Sequence, residues 1–166
     1  SSIRQRRPDQ LSPGVKSLNY LANILARAEA TRAGAQEAVL LTTEGYVSEC
    51  SGDNIFYVYG GRIYTPPASA GILDGVTRGA VMDIVREKMG GIVTEKMITL
   101  NDLYRADEIF LTGTGAEVIG AVKIDGHVIG NGGAGVVTRK ITSLFREYAR
   151  TVGTPIYDAE PAKVKM

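Results

Sequence analysis

The sequence predicts a mixed α+β fold, in which about eight short strands, several of them joined as hairpins, pack with three helices. Apolar residues recur at helical spacing in three stretches, whereas shorter apolar runs bounded by glycine and proline indicate strands. Tight turns such as Gly60-Gly61 and Asp125-Gly126 join neighbouring strands. Because hairpins outnumber helical crossovers, the pattern favours α+β over a doubly wound parallel sheet.

Length and composition are those of one globular domain. The 166 residues carry 19 basic and 18 acidic side chains, so net charge +1 provides no field that would attract nucleic acid or an anionic membrane. The single Cys50 excludes an intramolecular disulfide and fits a reducing compartment, so we expect a cytoplasmic location. The polar first ten residues do not resemble a signal peptide. Because the first residue is not Met, we expect a fragment or a processed form.

The predicted elements follow one another without a repeat or a second-domain linker. An extended arm at residues 2–7 and a proline turn lead into a helix over residues 15–33. Strands are predicted at 37–42, 46–49, 54–59, 62–65, 92–98, 108–112, 118–124 and 127–129. Further helical segments are predicted at 76–89, 99–104 and 136–151. The first helix has an apolar stripe that should face the core, formed by Val15, Leu18, Ala22, Leu25 and Ala28.

A lysine and a phenol lie one helical turn apart beside that stripe. Lys16 and Tyr20 share a polar row with Asn19, Asn23 and Arg27. Such a row is either a solvated face or a reactive amine with a phenol beside it, and the spacing does not choose between them.

Three further segments have polar groups that could bind a ligand or serve a structural purpose. In ILDGVTRG (72–79), the first helix amides could hold a phosphate, or Asp74 could cap the helix by accepting from the Thr77 amide. TGTGAE (112–117) ends a strand as an anion nest or as a simple turn. Glu49 lies at a strand end, where it is either exposed or buried with a cationic partner.

Other motifs carry little functional signal. GNGGAG (130–135) satisfies G-x-G-x-x-G but lacks the βαβ context of a dinucleotide site, so we interpret it as a turn before the last helix. His127 has no cysteine or carboxylate at metal spacing, and no metal site is predicted. We expect Cys50 to be a small buried apolar residue.

Four segments together resemble one family. VKSLNYL (15–21), EGYVSECSGDNIF (44–56), GILDGVTR (71–78) and DLYRADEIFLTGTGAE (102–117) resemble the fold-type IV pyridoxal-phosphate aminotransferases, and most closely the branched-chain amino acid aminotransferases. The resemblance covers about residues 4–150. It implies the large, cofactor-binding domain of the D-amino acid aminotransferase-like fold, a mixed sheet or pseudo-barrel with flanking helices, at residues 1–152. A C-terminal tail would follow at 153–166, and the family's N-terminal small domain is absent from this sequence.

The resemblance implies a role for each matching residue. Lys16 would be the catalytic residue that bonds to pyridoxal 5'-phosphate, Tyr20 would bond the cofactor's phenolic oxygen, and Glu49 would pair with its pyridine nitrogen. Cys50 stands where the family usually has glycine. The other implied contacts are Leu73 on the ring, Val76 and Thr77 at the phosphate, Gly113 and Thr114 on the cofactor, and Thr114 and Gly115 near the substrate.

The activity that the resemblance implies is transamination of branched-chain L-amino acids with 2-oxoglutarate by a homodimer, with this chain inactive alone. The same framework is shared by D-amino acid aminotransferases and 4-amino-4-deoxychorismate lyase, and these two activities are the alternatives within the family. A non-catalytic binding domain of the same fold is the alternative from another class. Intact Lys16, Glu49 and Thr77 argue against it.

Overall fold

The computed structural model describes residues 1–7, 9 and 12–153, so nearly all of the tail expected at 153–166 lies outside the described residues. Its helices are α1 (Leu21–Arg32), α2 (Val76–Met89), α3 (Leu100–Tyr104) and α4 (Val136–Thr151), with a 3-10 turn at Ala68–Ala70. Its strands are β1 (Val39–Leu41), β2 (Val47–Cys50), β3 (Asn54–Tyr59), β4 (Arg62–Thr65), β5 (Val93–Glu95), β6 (Glu108–Gly113), β7 (Glu117–Ala121), β8 (Lys123–Ile124) and β9 (His127–Val128).

A five-stranded sheet of order β5-β4-β3-β6-β7 forms the centre of the molecule. Neighbouring strands are antiparallel except β4 and β5, which are parallel and are joined through α2. A parallel pair needs such a crossover connection, whereas the antiparallel pair β3–β4 needs only the Gly60-Gly61 turn. The predicted α+β fold is confirmed.

Both faces of the sheet are buried, which explains why β3 is a continuous apolar run. Successive side chains of a strand point to opposite faces. Ile55 therefore joins a core under β1, β2 and α3, whereas Phe56 joins a second core under α2 and α4. Phe56 pairs in register with Phe110 of β6, and the two rings stack with centroids 4.9 Å apart.

The segments that resemble the aminotransferase family lie close together at one end of this sheet. Because β3 runs antiparallel to β4 and β6, its first residue lies beside their last ones, and Asn54 pairs with Thr112. Strand β2 reaches the same end through the tight turn in which the Cys50 N–H donates to the Asp53 carbonyl over 2.8 Å. The crossover from β4 places the start of α2 there as well. Topology therefore brings together segments that are distant in sequence.

The prediction for the first helix is wrong in its start and in the direction of its apolar face. Residues 13–20 form turns, in which the Asn19 N–H donates to the Ser17 side-chain oxygen over 3.3 Å. A serine that binds a nearby backbone amide competes with helix formation, and α1 begins only at Leu21. Leu18 is 100% exposed and Leu25 50% exposed, whereas the buried residues of α1 are Asn23 and Ala26.

Three predicted strands are also too long. The strand predicted at 92–98 ends at Glu95, and Ile98 pairs instead with Val47 of β2 in an isolated bridge. The strand predicted at 118–124 divides into β7 and β8, because the Val122 carbonyl accepts from the Ile129 amide at 2.9 Å and so leaves the ladder with β6. The first strand begins at Val39, because the Glu37 carboxylate binds the Ala38 N–H over 2.7 Å.

The GNGGAG segment is occupied by the protein's own carboxylate. Glu108 accepts from the amides of Val137 at 3.0 Å and Thr138 at 2.7 Å, at the first turn of α4. A Cβ at Gly135 would overlap the Glu108 carboxyl group. The first turn of α4 thus already binds an anion, which supports its interpretation as a structural turn.

Candidate active site

Glu49 is a buried carboxylate at this end of the sheet. It lies in β2, is 8% exposed, and does not face solvent at a strand edge. Its Oε1 accepts from Gln5 Nε2 at 2.7 Å, and its Oε2 accepts from the Leu73 amide at 2.9 Å and from Asn54 Nδ2 at 3.4 Å. A carboxylate has about four lone-pair directions. One of them, on Oε1, therefore has no donor among the described residues.

Burial is the main influence on the protonation of Glu49. Desolvation raises the pKa of its carboxyl from 4.5 to about 7, although the hydrogen bonds from Leu73 and Gln5 lower it. The charges of Arg6 and Lys16 also lower the pKa. At neutral pH the carboxyl therefore lies near its titration midpoint, and a cationic donor would fix it in the ionised state.

The raised pKa predicts a specific pH dependence of stability for the cofactor-free chain. Between pH 4.5 and 7 the folded state holds a proton that the unfolded state releases, so the free energy of unfolding falls as pH rises through this window. At about 1.4 kcal/mol per pKa unit, the loss attributable to Glu49 is about 3 kcal/mol. Glu49→Gln should abolish this part of the slope in urea unfolding curves at pH 5 and pH 8.

The matched control is Glu44→Gln, because Glu44 lies on the surface in the β1–β2 turn. It should leave the fall between pH 5 and pH 8 in place. A Glu49→Gln variant with the same slope as the wild type would show that the carboxyl of Glu49 is ionised normally in the folded chain.

Lys16 and Tyr20 contact each other in the turns before α1. Lys16 Nζ lies 3.4 Å from the Tyr20 hydroxyl and 5.7 Å from the centre of its ring. Lys16 is exposed, whereas Tyr20 is half-buried. Asn23, one turn further on, donates from Nδ2 to the Ser51 carbonyl at 2.9 Å and so attaches α1 to the segment that follows Glu49. The amine and the carboxylate are thereby held at the same end of the molecule.

The start of α2 has free backbone amides. Its N-cap is Gly75, and no described side chain caps it. The alternative in which Asp74 caps the helix is therefore wrong, since Asp74 instead accepts from Arg78 Nη1 at 3.2 Å. Val76 is exposed and Thr77 is buried in the first turn. A helix start with uncapped amides is a ready site for a phosphate group.

Close backbone packing links the start of α2 and the 113–115 segment to the turn after Glu49. A Cβ at Gly75 would overlap the side chain of Asn54, and a Cβ at Gly113 would overlap that of Asp53. Asn54 Nδ2 also donates to the Leu73 carbonyl at 2.8 Å. Thr114 and Gly115 follow in an exposed turn. The structure thus brings all the implied site residues to one end of the sheet.

Sequence reasoning missed Gln5, Asn23 and Asn54 as individual contributors. Asn54 belongs to a segment that carried the resemblance, but neither Gln5 nor Asn23 belongs to a motif that distinguishes it. Cys50 is 1% exposed in the core beside the site, as predicted, and burial raises the pKa of its thiol. Among the described residues, no group of three or more His, Cys, Asp or Glu side chains is placed to hold a metal ion.

Comparison with known proteins decides the family. The family model described as amino-transferase class IV matches residues 1–124. The chain belongs to the class IV aminotransferase family. It is 45% identical to a Methanocaldococcus jannaschii relative over 157 residues, which are 95% of this chain and 54% of that protein. It is 38% identical to the branched-chain-amino-acid aminotransferase of Escherichia coli K12 over 146 residues, 87% of this chain and 47% of that enzyme.

Solved structures agree with the family assignment. The branched-chain amino acid aminotransferase of Thermobaculum terrenum in its PLP form superposes with a TM-score of 0.87 at 37% identity, over 90% of this chain and 50% of that one. The branched-chain aminotransferase of Thermoproteus uzoniensis with norvaline gives a TM-score of 0.84 at 40% identity, over 89% and 48%. The class IV chain described here therefore spans about half the length of the relatives it matches.

Proposed function

We propose that this chain is the cofactor-binding half of a PLP-dependent aminotransferase that transfers the amino group of branched-chain L-amino acids to 2-oxoglutarate. The observation that carries the proposal is the buried Glu49 carboxylate with a spare acceptor, at the same end of the sheet as a lysine–tyrosine pair and an uncapped helix start. Identities of 38% to 45% with relatives that include the E. coli enzyme support the substrate class. The domain would span residues 1–152.

The residues present fit pyridoxal 5'-phosphate at both of its polar ends. The spare lone pair on Glu49 Oε1 would accept the proton of a ring nitrogen, which would favour the ionised carboxylate despite its burial. The amides of Val76 and Thr77, with the Thr77 hydroxyl, would hold the phosphate. Leu73 donates its amide to Glu49 and lies three residues before α2, and its side chain would pack on the ring. Gly113 and Thr114 would complete the cofactor site.

When bound, the cofactor supplies an electron-poor ring that withdraws charge from the substrate's Cα. Lys16 Nζ would hold the cofactor covalently at rest, and as a free amine it would move a proton between the substrate's Cα and C4′ of the cofactor. The Tyr20 hydroxyl, 3.4 Å from Lys16 Nζ, would orient that amine and donate to the cofactor's phenolic oxygen. Glu49 would keep the ring nitrogen protonated. The Gly115 amide and Thr114 would orient the substrate carboxylate.

Substrate specificity tests the proposal directly. In the full-length enzyme, L-leucine, L-isoleucine and L-valine should each convert 2-oxoglutarate to glutamate, at rates on the order of 10 per second. D-alanine and 4-amino-4-deoxychorismate should give no more product than an enzyme-free control. Turnover of either of these two in preference to L-leucine would overturn the substrate assignment. The 166-residue chain alone should be inactive, because half of the enclosure that orients the substrate would be missing.

The exposed side of α1 supports an oligomer, and we propose a homodimer. Five apolar side chains in α1 and in the turns before it are at least half exposed: Val15 56%, Leu18 100%, Leu21 65%, Ile24 62% and Leu25 50%. We call these residues the α1 face. Exposed apolar side chains at this density indicate an interaction surface.

We expect the chain to sediment as a dimer, and Leu18→Glu with Ile24→Glu to make it monomeric with unchanged circular dichroism. Ile92→Glu is the control, since Ile92 is 81% exposed outside the α1 face. A wild-type chain that stays monomeric at the highest concentration tested by analytical ultracentrifugation would contradict the homodimer.

The proposed setting is the cytoplasm, with small-molecule amino acids and 2-oxo acids as partners. The single cysteine is buried and free, as is common in reducing compartments. No helix in the described part of the chain is long and apolar enough to cross a membrane.

A further inference from the structure

Gln5 is a buried side chain that no motif singles out. It lies in the N-terminal arm, is 5% exposed, and its backbone N–H donates to the Leu41 carbonyl at 2.9 Å, which attaches the arm to β1. Its Nε2 donates to Glu49 Oε1 at 2.7 Å and to the Gly71 carbonyl at 2.9 Å. Its Oε1 accepts from the Arg6 amide at 3.1 Å. The side-chain amide therefore uses both of its donors and one acceptor direction.

While Glu49 is ionised, only one orientation of this amide is compatible with its surroundings. If the amide were flipped, its carbonyl oxygen would face the Glu49 carboxylate and the Gly71 carbonyl, which both only accept hydrogen bonds in that state. Both donors would then be lost to these two oxygens. Gln5 thus connects the arm, strand β2 and the loop before Leu73 through a single rigid group.

Building on the proposed function, we propose that Gln5 is the positioning residue of the site, which fixes the plane of the Glu49 carboxylate and leaves the second lone pair of Oε1 directed at the cofactor nitrogen. The Leu73 amide and Asn54 hold only Oε2. Without Gln5, Oε1 has no donor among the described residues, and only the two bonds to Oε2 oppose rotation about the Cγ–Cδ bond. The bond to the Gly71 carbonyl sets the loop that carries Leu73 against the same carboxylate.

The electrostatics around Glu49 agree with this role. Gln5 is the side chain whose hydrogen bond most opposes the effect of burial on the pKa of Glu49, and Arg6 and Lys16 oppose it through their charges. The neighbouring thiol of Cys50 is affected in turn, since Glu49 is among the carboxylates that raise its pKa. A hydrogen bond to a charged acceptor is stronger than one between neutral groups. Removal of the Gln5 donor should therefore disfavour the ionised carboxylate.

The test is a carbon-13 NMR titration of the Glu49 carboxyl in the 166-residue chain, assigned by comparison with Glu49→Gln. Gln5→Leu should move the midpoint upward from the wild-type value by about one to two pKa units. Gln36→Leu is the matched control, because Gln36 is exposed, and it should leave the midpoint in place. A Gln5→Leu midpoint equal to that of the wild type would overturn the proposal.

A second variant keeps the test decisive if Gln5→Leu fails to fold. Gln5→Glu has nearly the same shape, and at pH 5 its carboxyl can be protonated and donate one hydrogen bond to Glu49. Two carboxyls 2.7 Å apart cannot both ionise easily, so this pair should titrate in two well-separated steps. Two independent titrations near the ordinary value for glutamate would overturn the proposal.

Kinetics of the full-length enzyme separate this inference from the proposed function. Gln5→Leu should shift the pH profile of kcat and leave KM nearly unchanged, whereas a merely structural role would lower Tm without shifting the profile. If Glu49→Gln keeps normal kcat while Gln5→Leu still moves the Glu49 titration, the cofactor role of Glu49 fails and the Gln5–Glu49 coupling stands. If Glu49→Gln is inactive while Gln5→Leu moves neither titration nor profile, only the Gln5 inference fails.

Discussion

Glu49→Gln in the full-length enzyme is expected to reduce kcat by about 10²- to 10³-fold while KM changes little. The substitution keeps the size of the side chain and a hydrogen bond to the ring nitrogen, but it removes the charge. A pyridine nitrogen buried against protein loses its proton readily, and a carboxylate within hydrogen-bond reach reverses that preference. The neutral ring withdraws less charge from the substrate's Cα, so the transition state loses stabilisation while the ground state does not.

The control for this experiment is Glu44→Gln, which removes an exposed carboxylate from the neighbouring turn and should retain wild-type kinetics. The absorbance of the bound cofactor should show that Glu49→Gln still binds it. Near-normal kcat with bound cofactor would mean that Glu49 does not act on the ring.

Lys16→Arg is expected to lower kcat by about 10³-fold or more. The guanidinium keeps a positive charge next to Tyr20 and can replace the 3.4 Å contact between the lysine amine and the Tyr20 hydroxyl. Unlike the amine, however, the guanidinium cannot release a proton at accessible pH. It can therefore neither form the covalent bond at rest nor move a proton at Cα, and general acid–base catalysis alone is worth about 10² to 10⁴ in rate. Lys123→Arg is the matched control, because Lys123 is an exposed lysine on β8. Equal loss in both variants would refute a specific role for Lys16.

Much of the fold follows from local sequence patterns. The bounds of β3, β4, α2 and α4 agree with their predictions, because glycine or proline lies directly beside at least one end of each element. Burial of both faces of the sheet explains why β3 is a continuous apolar run. Where the local signal was strong, tertiary structure did not override it.

The first helix shows that apolar periodicity alone does not predict which surface covers the apolar side of a helix. Its stripe has the spacing of a core-facing side, yet Leu18 and Leu25 of that stripe are exposed. Periodicity reports that one side of a helix is apolar, and it does not report whether this chain or another surface covers that side. Likewise, the sequence offered Asp74 as a cap for α2, but the N-cap is Gly75, and the guanidinium of Arg78 binds Asp74 instead.

The sequence predicted which segments form the candidate site, but not the contacts between their side chains. The four segments carried a resemblance, and the order of antiparallel strands explains why they meet at one end of the sheet. The contact between Gln5 and Glu49 joins residues 44 positions apart, and neither position has a local pattern that requires the other. Burial of Glu49, and with it the raised pKa, depends on that packing.

Borohydride reduction of the full-length enzyme with bound pyridoxal 5'-phosphate tests the central claim most directly. Reduction makes the bond between a lysine amine and the cofactor permanent, and peptide mapping then identifies the lysine. The account predicts that the label is on Lys16, in the peptide that contains Tyr20, and on no other lysine. Label on Lys88 or Lys123 would contradict it, because neither residue lies in the segments that meet at the Glu49 end of the sheet.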